Sequence, residues 1–326
     1  MTRKALVTGV AGFVGSHLAE RLLDDGWQVC GVDCFTDYYA RSIKEQNLAA
    51  FRKHPRFTLV EADLASADLA PLLAGVDVIF HQAGQAGVRA SWGTEFEVYV
   101  QNNIMATQRL LEAAKGSALH RFVYASSSSI YGDVEALPVR EDTLPRPISP
   151  YGVTKLAAEH LCQLYRTNYG LPTVSLRYFT VYGPRQRPDM AFHKLIRTML
   201  GGGTFPLYGD GEQTRDFTFV ADAVAANLLA VEAPPGRVFN IGGGSRVTMN
   251  QVIATLEELV GQPAPVERQA DQAGDVRHTW ADTSAAQEVL GFAPQVPLRE
   301  GLIQEIAWFR EQRLSALGDS VRRELK

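Results

Sequence analysis

The chain has 326 residues, 46% of them hydrophobic, enough to bury a large core as one big domain or two intimate ones. Its formal net charge of −4, from 32 basic and 36 acidic residues, speaks against a nucleic-acid partner. With no apolar run near the roughly 18 residues of a membrane span, no room for a leader before the first strand, and an odd count of cysteines without zinc spacing, a cytoplasmic protein with reduced thiols and neither membrane nor metal partners is expected.

Residues 4–8 read as a short buried strand, followed by Gly9-Val-Ala-Gly12-Phe13-Val14-Gly15 and a helical pattern over 13–25. Glycines allow a tight bend and close approach of backbone to a phosphate. The helix N-terminus adds unpaired N–H groups and positive dipole, so this turn is a candidate pyrophosphate cradle. A second strand, 28–33, ends in Asp33, near the offset of about 20 residues at which an acid bonds a ribose 2′-hydroxyl. Its charge would repel a 2′-phosphate, which favours NAD over NADP.

A helix at 41–53, strands at 57–61 and 77–81, a helix at 94–115, a strand at 121–126, a helix at 151–169 and a strand at 173–178 complete an alternating rhythm. That rhythm predicts an α/β fold, a Rossmann-type doubly wound parallel sheet covered on both faces. The strand at 121–126 runs into Ser126-Ser127-Ser128-Ser129. Ligands of open α/β sheets lie beyond the carboxyl ends of strands, so these hydroxyls are expected at the nicotinamide end of the cofactor. Tyr151 and Lys155, four apart, share one helical face. An ammonium beside a phenol lowers a pKa that is ordinarily about 10 and makes a usable proton acceptor.

After Phe179 the rhythm breaks into Pro/Gly-rich loops, with helical patterns at 190–200, 219–232, 249–260 and 299–310 and a strand near 237–241. Residues 1–179 are expected to hold the cofactor, with 219–245 partly rejoining them. Residues 180–326 are expected to form mainly a smaller C-terminal α/β substrate-binding lobe. The tail after Phe309, with Arg322 and Arg323, is polar and amphipathic and receives no role. His81, His120 and His160 lack metal spacing and read as structural, as does Trp92, and Asp37-Tyr38-Tyr39 reads as a loop beside an adenosine pocket.

The glycine turn, Asp63-Leu64, the serine strand end and Tyr151-Gly-Val-Thr-Lys155 together resemble an extended short-chain dehydrogenase/reductase. Within that superfamily they resemble the NAD-dependent nucleotide-sugar epimerases and dehydratases, from Ala5 to about Phe309. The resemblance implies Tyr151 as catalytic base, Lys155 holding the phenolate and the nicotinamide ribose, and Ser127 sharing the substrate hydroxyl. It also implies cofactor contacts from Asp63, Leu64, Gln82, Ala83, Asn102 and Tyr178. Gln82-Ala83-Gly84 stands where the family usually has Leu-Ala-Ala. A homodimer through the helices at 94–115 and 151–169 is implied by resemblance alone.

Family dehydratases carry an Asp-Glu pair where this chain has Ser128 and Ser129, and the decarboxylases of UDP-glucuronate carry Glu at the position of Ser129. Elimination needs an acid to move protons between carbons, whereas 4-epimerisation does not. The segments His81–Arg89 and Leu176–Met190 resemble UDP-glucuronate 4-epimerases, with Thr180 where UDP-glucose 4-epimerases usually have Asn. The expected substrate is therefore UDP-glucuronate, its carboxylate held by Ser128, Ser129, Thr180 and Arg185. Arg187 is read as a surface-loop or pyrophosphate residue. At the nucleotide end Arg215 and Arg277 are expected on the diphosphate, Leu207 and Tyr208 beside the uracil, and Arg89 near a phosphate. Alternatives are a UDP-glucose or UDP-N-acetylhexosamine 4-epimerase, a UDP-glucuronate decarboxylase, and a catalytically silent NAD-binding regulator.

Overall fold

A computed structural model of the chain describes residues 2–270, 272 and 274–324. Its first half alternates β1 (Lys4–Thr8), α1 (Phe13–Asp24), β2 (Gln28–Asp33), α2 (Arg41–Leu48), β3 (Phe57–Glu61), β4 (Val78–His81), α3 (Phe96–Tyr99), α4 (Ala106–Ala114), β5 (Arg121–Ser127), α5 (Pro150–Tyr169) and β6 (Thr173–Tyr178). The second half runs β7 (Val181–Tyr182), α6 (Ala191–Gly201), β8 (Phe205–Tyr208), β9 (Thr214–Asp216), β10 (Thr218–Phe219), α7 (Val220–Ala230), β11 (Val238–Ile241), β12 (Arg246–Thr248), α8 (Met249–Val260), β13 (Val266–Gln269), α9 (Ser284–Leu290) and α10 (Leu298–Glu324).

Among the described residues, seven parallel strands form one sheet in the order β3-β2-β1-β4-β5-β6-β11. Strand order reverses between β1 and β4, so connections leave in opposite directions and open a crevice at their carboxyl ends. Every residue of β4 and β5 is buried, as befits central parallel strands covered on both faces. Val7, Leu18, Leu22, Phe80 and Phe239 pack on one face, and Ile79, Leu110, Phe122 and Cys162 on the other. A further core, around Tyr182, Phe192, Phe205, Phe217 and Leu302, lies in the C-terminal part and takes in Phe13 of α1.

Local chemistry explains the boundaries. Ser149 caps α5 by accepting from Gly152 N at 3.1 Å, Pro150 opens it, and left-handed Gly170 closes it. Helix α2 stops at Leu48 rather than 53; Pro55 disfavours helix at His54, and Phe51 turns in against Phe57 at 5.0 Å. The helix expected over 94–115 is interrupted. A π-helical stretch, Val100–Met105, separates α3 from α4 and carries Asn102 and Asn103 to the crevice. Helix α10 continues through the tail to Glu324, while the side chains of Arg322 and Arg323 lie outside the described residues. No described helix is long and apolar enough to cross a membrane.

Candidate active site

One cavity lies over the carboxyl ends of the central strands. It is lined by Gly9, Gly12, Phe13, Val14, Gly15, Asp33, Asp63, Leu64, Gln82, Ala83, Asn102, Tyr151, Lys155 and Tyr178, the residues assigned to the cofactor from sequence. Its floor is the glycine turn. Gly9 has φ +67°, and a Cβ there would sit 2.8 Å from the Ala83 backbone; at Gly15 it would sit 2.2 Å from the Gly9 carbonyl oxygen. The backbone is thus bare where the N-terminus of α1 faces the cavity. Asp33 is oriented by two backbone donors, Ala11 N to Oδ2 at 3.0 Å and Phe35 N to Oδ1 at 2.8 Å. Each carboxylate oxygen keeps a lone pair for a ribose hydroxyl. These are features a dinucleotide fits.

Behind the lining runs a hydrogen-bond chain. Ala83 N donates to Thr8 Oγ1, which meets His81 Nδ1 at 2.7 Å; His81 Nε2 meets Thr107 Oγ1, and Thr107 donates to the Asn103 carbonyl. Full burial drives the His81 pKa down to about 3, so the ring is neutral. Asn103 accepts from Gln85 N at 2.7 Å and donates to Gln85 O and Thr154 Oγ1, tying the loop after β4 to α5. Gln82 donates to Asn227 Oδ1 at 2.8 Å and accepts from Tyr178, while Asn227 donates to Tyr178. Neither asparagine stands beside its partners in sequence, and Asn227 carries no local signal at all.

The serine strand end is backed by a buried pair. Arg177 meets Glu159 at 2.7 Å, Ser126 donates to the same carboxylate at 2.6 Å, and Tyr131 accepts from Arg177 while donating to Asn240. Ser127 Oγ accepts from Ser129 N at 3.1 Å as the chain bends into a 3-10 turn over Ser128–Ile130. Ser127 pairs with Tyr178 across β5 and β6, so Ser128, Ser129 and Thr180 follow at the ends of neighbouring strands. They do not line the cofactor cavity.

Two expectations about charge need correction. Burial raises the Tyr151 pKa, and what draws it back is the Ser127 hydroxyl and the Arg187 guanidinium, not Lys155. The Lys155 ammonium lies over the Tyr124 ring, 4.6 Å from its centroid, and burial lowers its own pKa to about 8. Arg185, expected at a substrate carboxylate, instead meets Glu20 of α1 at 2.7 Å and does not line the cavity. Its φ of +64° and a hydrogen bond between His17 Nε2 and Pro184 O at 2.8 Å turn this part of the loop onto α1. Two residues on, Arg187 lines the cavity, its side chain 22% exposed and bound to Asp189.

At the far end Arg89 stacks on Tyr208, 4.0 Å from the ring centroid, and pairs with Asp275. Arg215 Nη1 donates to the carbonyls of Thr214 and Arg277, and Arg277 pairs with Asp210 at 2.7 Å. Arg89, Tyr208, Arg215 and Arg277 are therefore gathered from four separate segments. Leu207 differs: it is 3% exposed in the C-terminal core, because alternate residues of β8 face inward, so only its backbone can meet a base.

Residues 5–242 match the NAD dependent epimerase/dehydratase family. The chain is 47% identical, over 94% of its length and 97% of the relative's, to an uncharacterized UDP-glucose epimerase YtcB of Bacillus subtilis (strain 168). It is 37% identical to a probable UDP-glucuronate 4-epimerase of Rhizobium meliloti (strain 1021), covering 93% and 96% of the two chains. Among solved structures, the UDP-glucuronic acid 4-epimerase from Bacillus cereus in complex with UDP-glucuronic acid and NAD superposes with a TM-score of 0.92 at 44% identity, covering 95% of this chain and 99% of that one.

Proposed function

The chain belongs to the NAD-dependent epimerase/dehydratase family, and we propose that within it the protein interconverts UDP-glucuronate and UDP-galacturonate by 4-epimerisation. The observation that carries the reading is that Arg187 lines one cavity with Tyr151, while the neighbouring strand end, Ser127–Ser129, carries hydroxyls alone. Arg187 offers an anion a ligand, and positions 128 and 129 carry no carboxylic acid to drive elimination. The likeness to a UDP-glucuronic acid 4-epimerase with both ligands bound supports it.

The cofactor is NAD, which when bound takes a hydride from C4 of the sugar and returns it, so the net reaction is an isomerisation. The glycine turn, Asp33, Asp63 and Lys155 would hold it. Tyr151 accepts the proton of the 4-hydroxyl and later gives it back; Ser127, whose hydroxyl draws the Tyr151 pKa down, shares that hydroxyl. Between the two proton transfers the 4-keto sugar must present its other face. In that intermediate the carboxylate is β to a ketone and loses carbon dioxide when the breaking bond aligns with the carbonyl π system. Arg187, with Ser128, Ser129 and Thr180, holds the carboxylate out of that alignment. Arg187 takes the place first given to Arg185, which is engaged by Glu20. Arg89, Arg215 and Arg277 serve the diphosphate, and the Tyr208 ring and Leu207 backbone the uracil.

Residues 1–179 with 219–245 then hold NAD, and 180–326 mainly hold the UDP-sugar. Exposed Val98, Met105, Val153 and Leu164 on the helices beside the cavity offer a face for a second copy of the chain. Free Cys30, Cys34 and Cys162 suit the cytoplasm. The test is proton NMR of the purified protein with UDP-glucuronate and NAD. UDP-galacturonate should form without net NADH. Turnover of UDP-glucose with none of UDP-glucuronate would overturn the substrate, and UDP-xylose or a 4-keto pentose as main product would overturn the reaction.

A further inference from the structure

Arg187 is clamped from one side. Its Nε and Nη2 donate to Asp189 Oδ1 and Oδ2 at 3.0 and 3.1 Å. The Tyr38 hydroxyl donates to the same Oδ2 at 3.2 Å. Arg187 and Asp189 lie on the loop between β7 and α6, whereas Tyr38 lies between β2 and α2 and lines the cofactor cavity. A third segment closes the arrangement: a Cβ on Gly87 would come within 2.4 Å of the Tyr38 hydroxyl oxygen. The Gly87 carbonyl accepts from Tyr99 at 2.7 Å, and the Tyr99 ring meets Tyr151 edge-on, 6.3 Å between centroids. Segments remote in sequence thus converge on one carboxylate and one phenol beside the proposed base.

The geometry of a guanidinium gives this a direction. Five N–H bonds lie in one plane, and a carboxylate that takes Nε and one Nη2 proton leaves the Nη1–Nη2 edge as the remaining fork. A free arginine loses rotamer freedom when it binds an anion; one already fixed has met that cost in folding. We propose that Tyr38 and Asp189 are positioning residues that set the open edge of Arg187 toward the substrate carboxylate. Preference for an acidic over a neutral sugar is then governed partly by the loop that walls the cofactor. This rests on the reading of Arg187 as the carboxylate ligand.

The test is calorimetry on the NAD-loaded protein, comparing the Kd of UDP with that of UDP-glucuronate in the parent, Tyr38→Phe, Asp189→Asn and Arg187→Met. Phenylalanine keeps the ring that packs against Tyr39 and removes only the hydroxyl. Tyr38→Phe should lower the ratio of the two constants by between about twofold and tenfold, the net worth of one hydrogen bond, and Asp189→Asn by more. UDP binding should not move, and the fraction of 4-keto pentose in the product should rise. If Arg187→Met collapses the ratio while Tyr38→Phe and Asp189→Asn leave it unchanged, the positioning role is wrong and the carboxylate reading stands. If Arg187→Met leaves the ratio unchanged, both fall. Equal weakening of UDP and UDP-glucuronate by the Tyr38 and Asp189 variants would mean a merely structural role and overturn the inference.

Discussion

Replacing Arg187 by methionine keeps much of the side-chain stem and removes the charge. Three consequences can be worked from the contacts. A charge-assisted hydrogen bond is worth about 1.5–3 kcal/mol, so losing it to the substrate carboxylate should lower kcat/KM for UDP-glucuronate by roughly 10- to 150-fold. Asp189, which receives two bonds from Arg187, would lose them and confront the substrate with a like charge; Arg187→Met/Asp189→Asn should therefore recover part of the loss. The guanidinium also draws the Tyr151 pKa down, so without it the phenol titrates higher and the acid limb of the kcat/KM profile should move to higher pH. NMR of UDP-glucuronate turnover across pH, with product partition and NAD content measured on the same samples, reads all three. Unchanged turnover, an unmoved acid limb and no decarboxylated product would refute the placement of Arg187 in the reaction.

Other outcomes follow from the same contacts. Gly15→Ala should abolish NAD binding while leaving a folded chain, since the added carbon meets the Gly9 carbonyl oxygen at 2.2 Å; equilibrium dialysis against NAD checks it. Tyr151→Phe should bind NAD and UDP-glucuronate within a few-fold of the parent but give no UDP-galacturonate, and measurable epimerisation would remove Tyr151 as base. His81 and His17 have folded pKa values of about 3 and about 4, below the ordinary 6.5. Above pH 6.5 both are neutral folded or unfolded; below it only the unfolded chain takes up the protons. Stability should fall by up to about 1.4 kcal/mol per pH unit for each, down to the folded values, seen as a dropping urea midpoint that His81→Gln makes shallower. Leu164→Glu should reduce the proposed dimer to a monomer in sedimentation; a parent that sediments as a monomer would refute the dimer, and an unchanged oligomer would place the interface elsewhere.

The sequence by itself determined the features whose physics is local. A glycine turn between a strand and a helix can be read because backbone sterics act over a few residues, and the Asp33 offset follows from one βαβ unit. Tyr151 and Lys155 share a helix face by periodicity alone. The parallel sheet followed from the alternation of buried strands and helices. What the tertiary structure decided was where long side chains end. Arg185 and Arg187 are two residues apart in one loop, and nothing in their spacing says that the first turns to Glu20 while the second enters the cavity beside Tyr151. Lys155 reached the right face, but its ammonium rests over Tyr124. The π-helical stretch that delivers Asn102 and Asn103, the bond from Asn227 to Tyr178 and the Tyr38–Asp189 contact likewise depend on remote partners. Backbone conformation answers to neighbours along the chain. The direction of a charged side chain answers to whichever distant group offsets its desolvation, and that group is known only once the chain has folded.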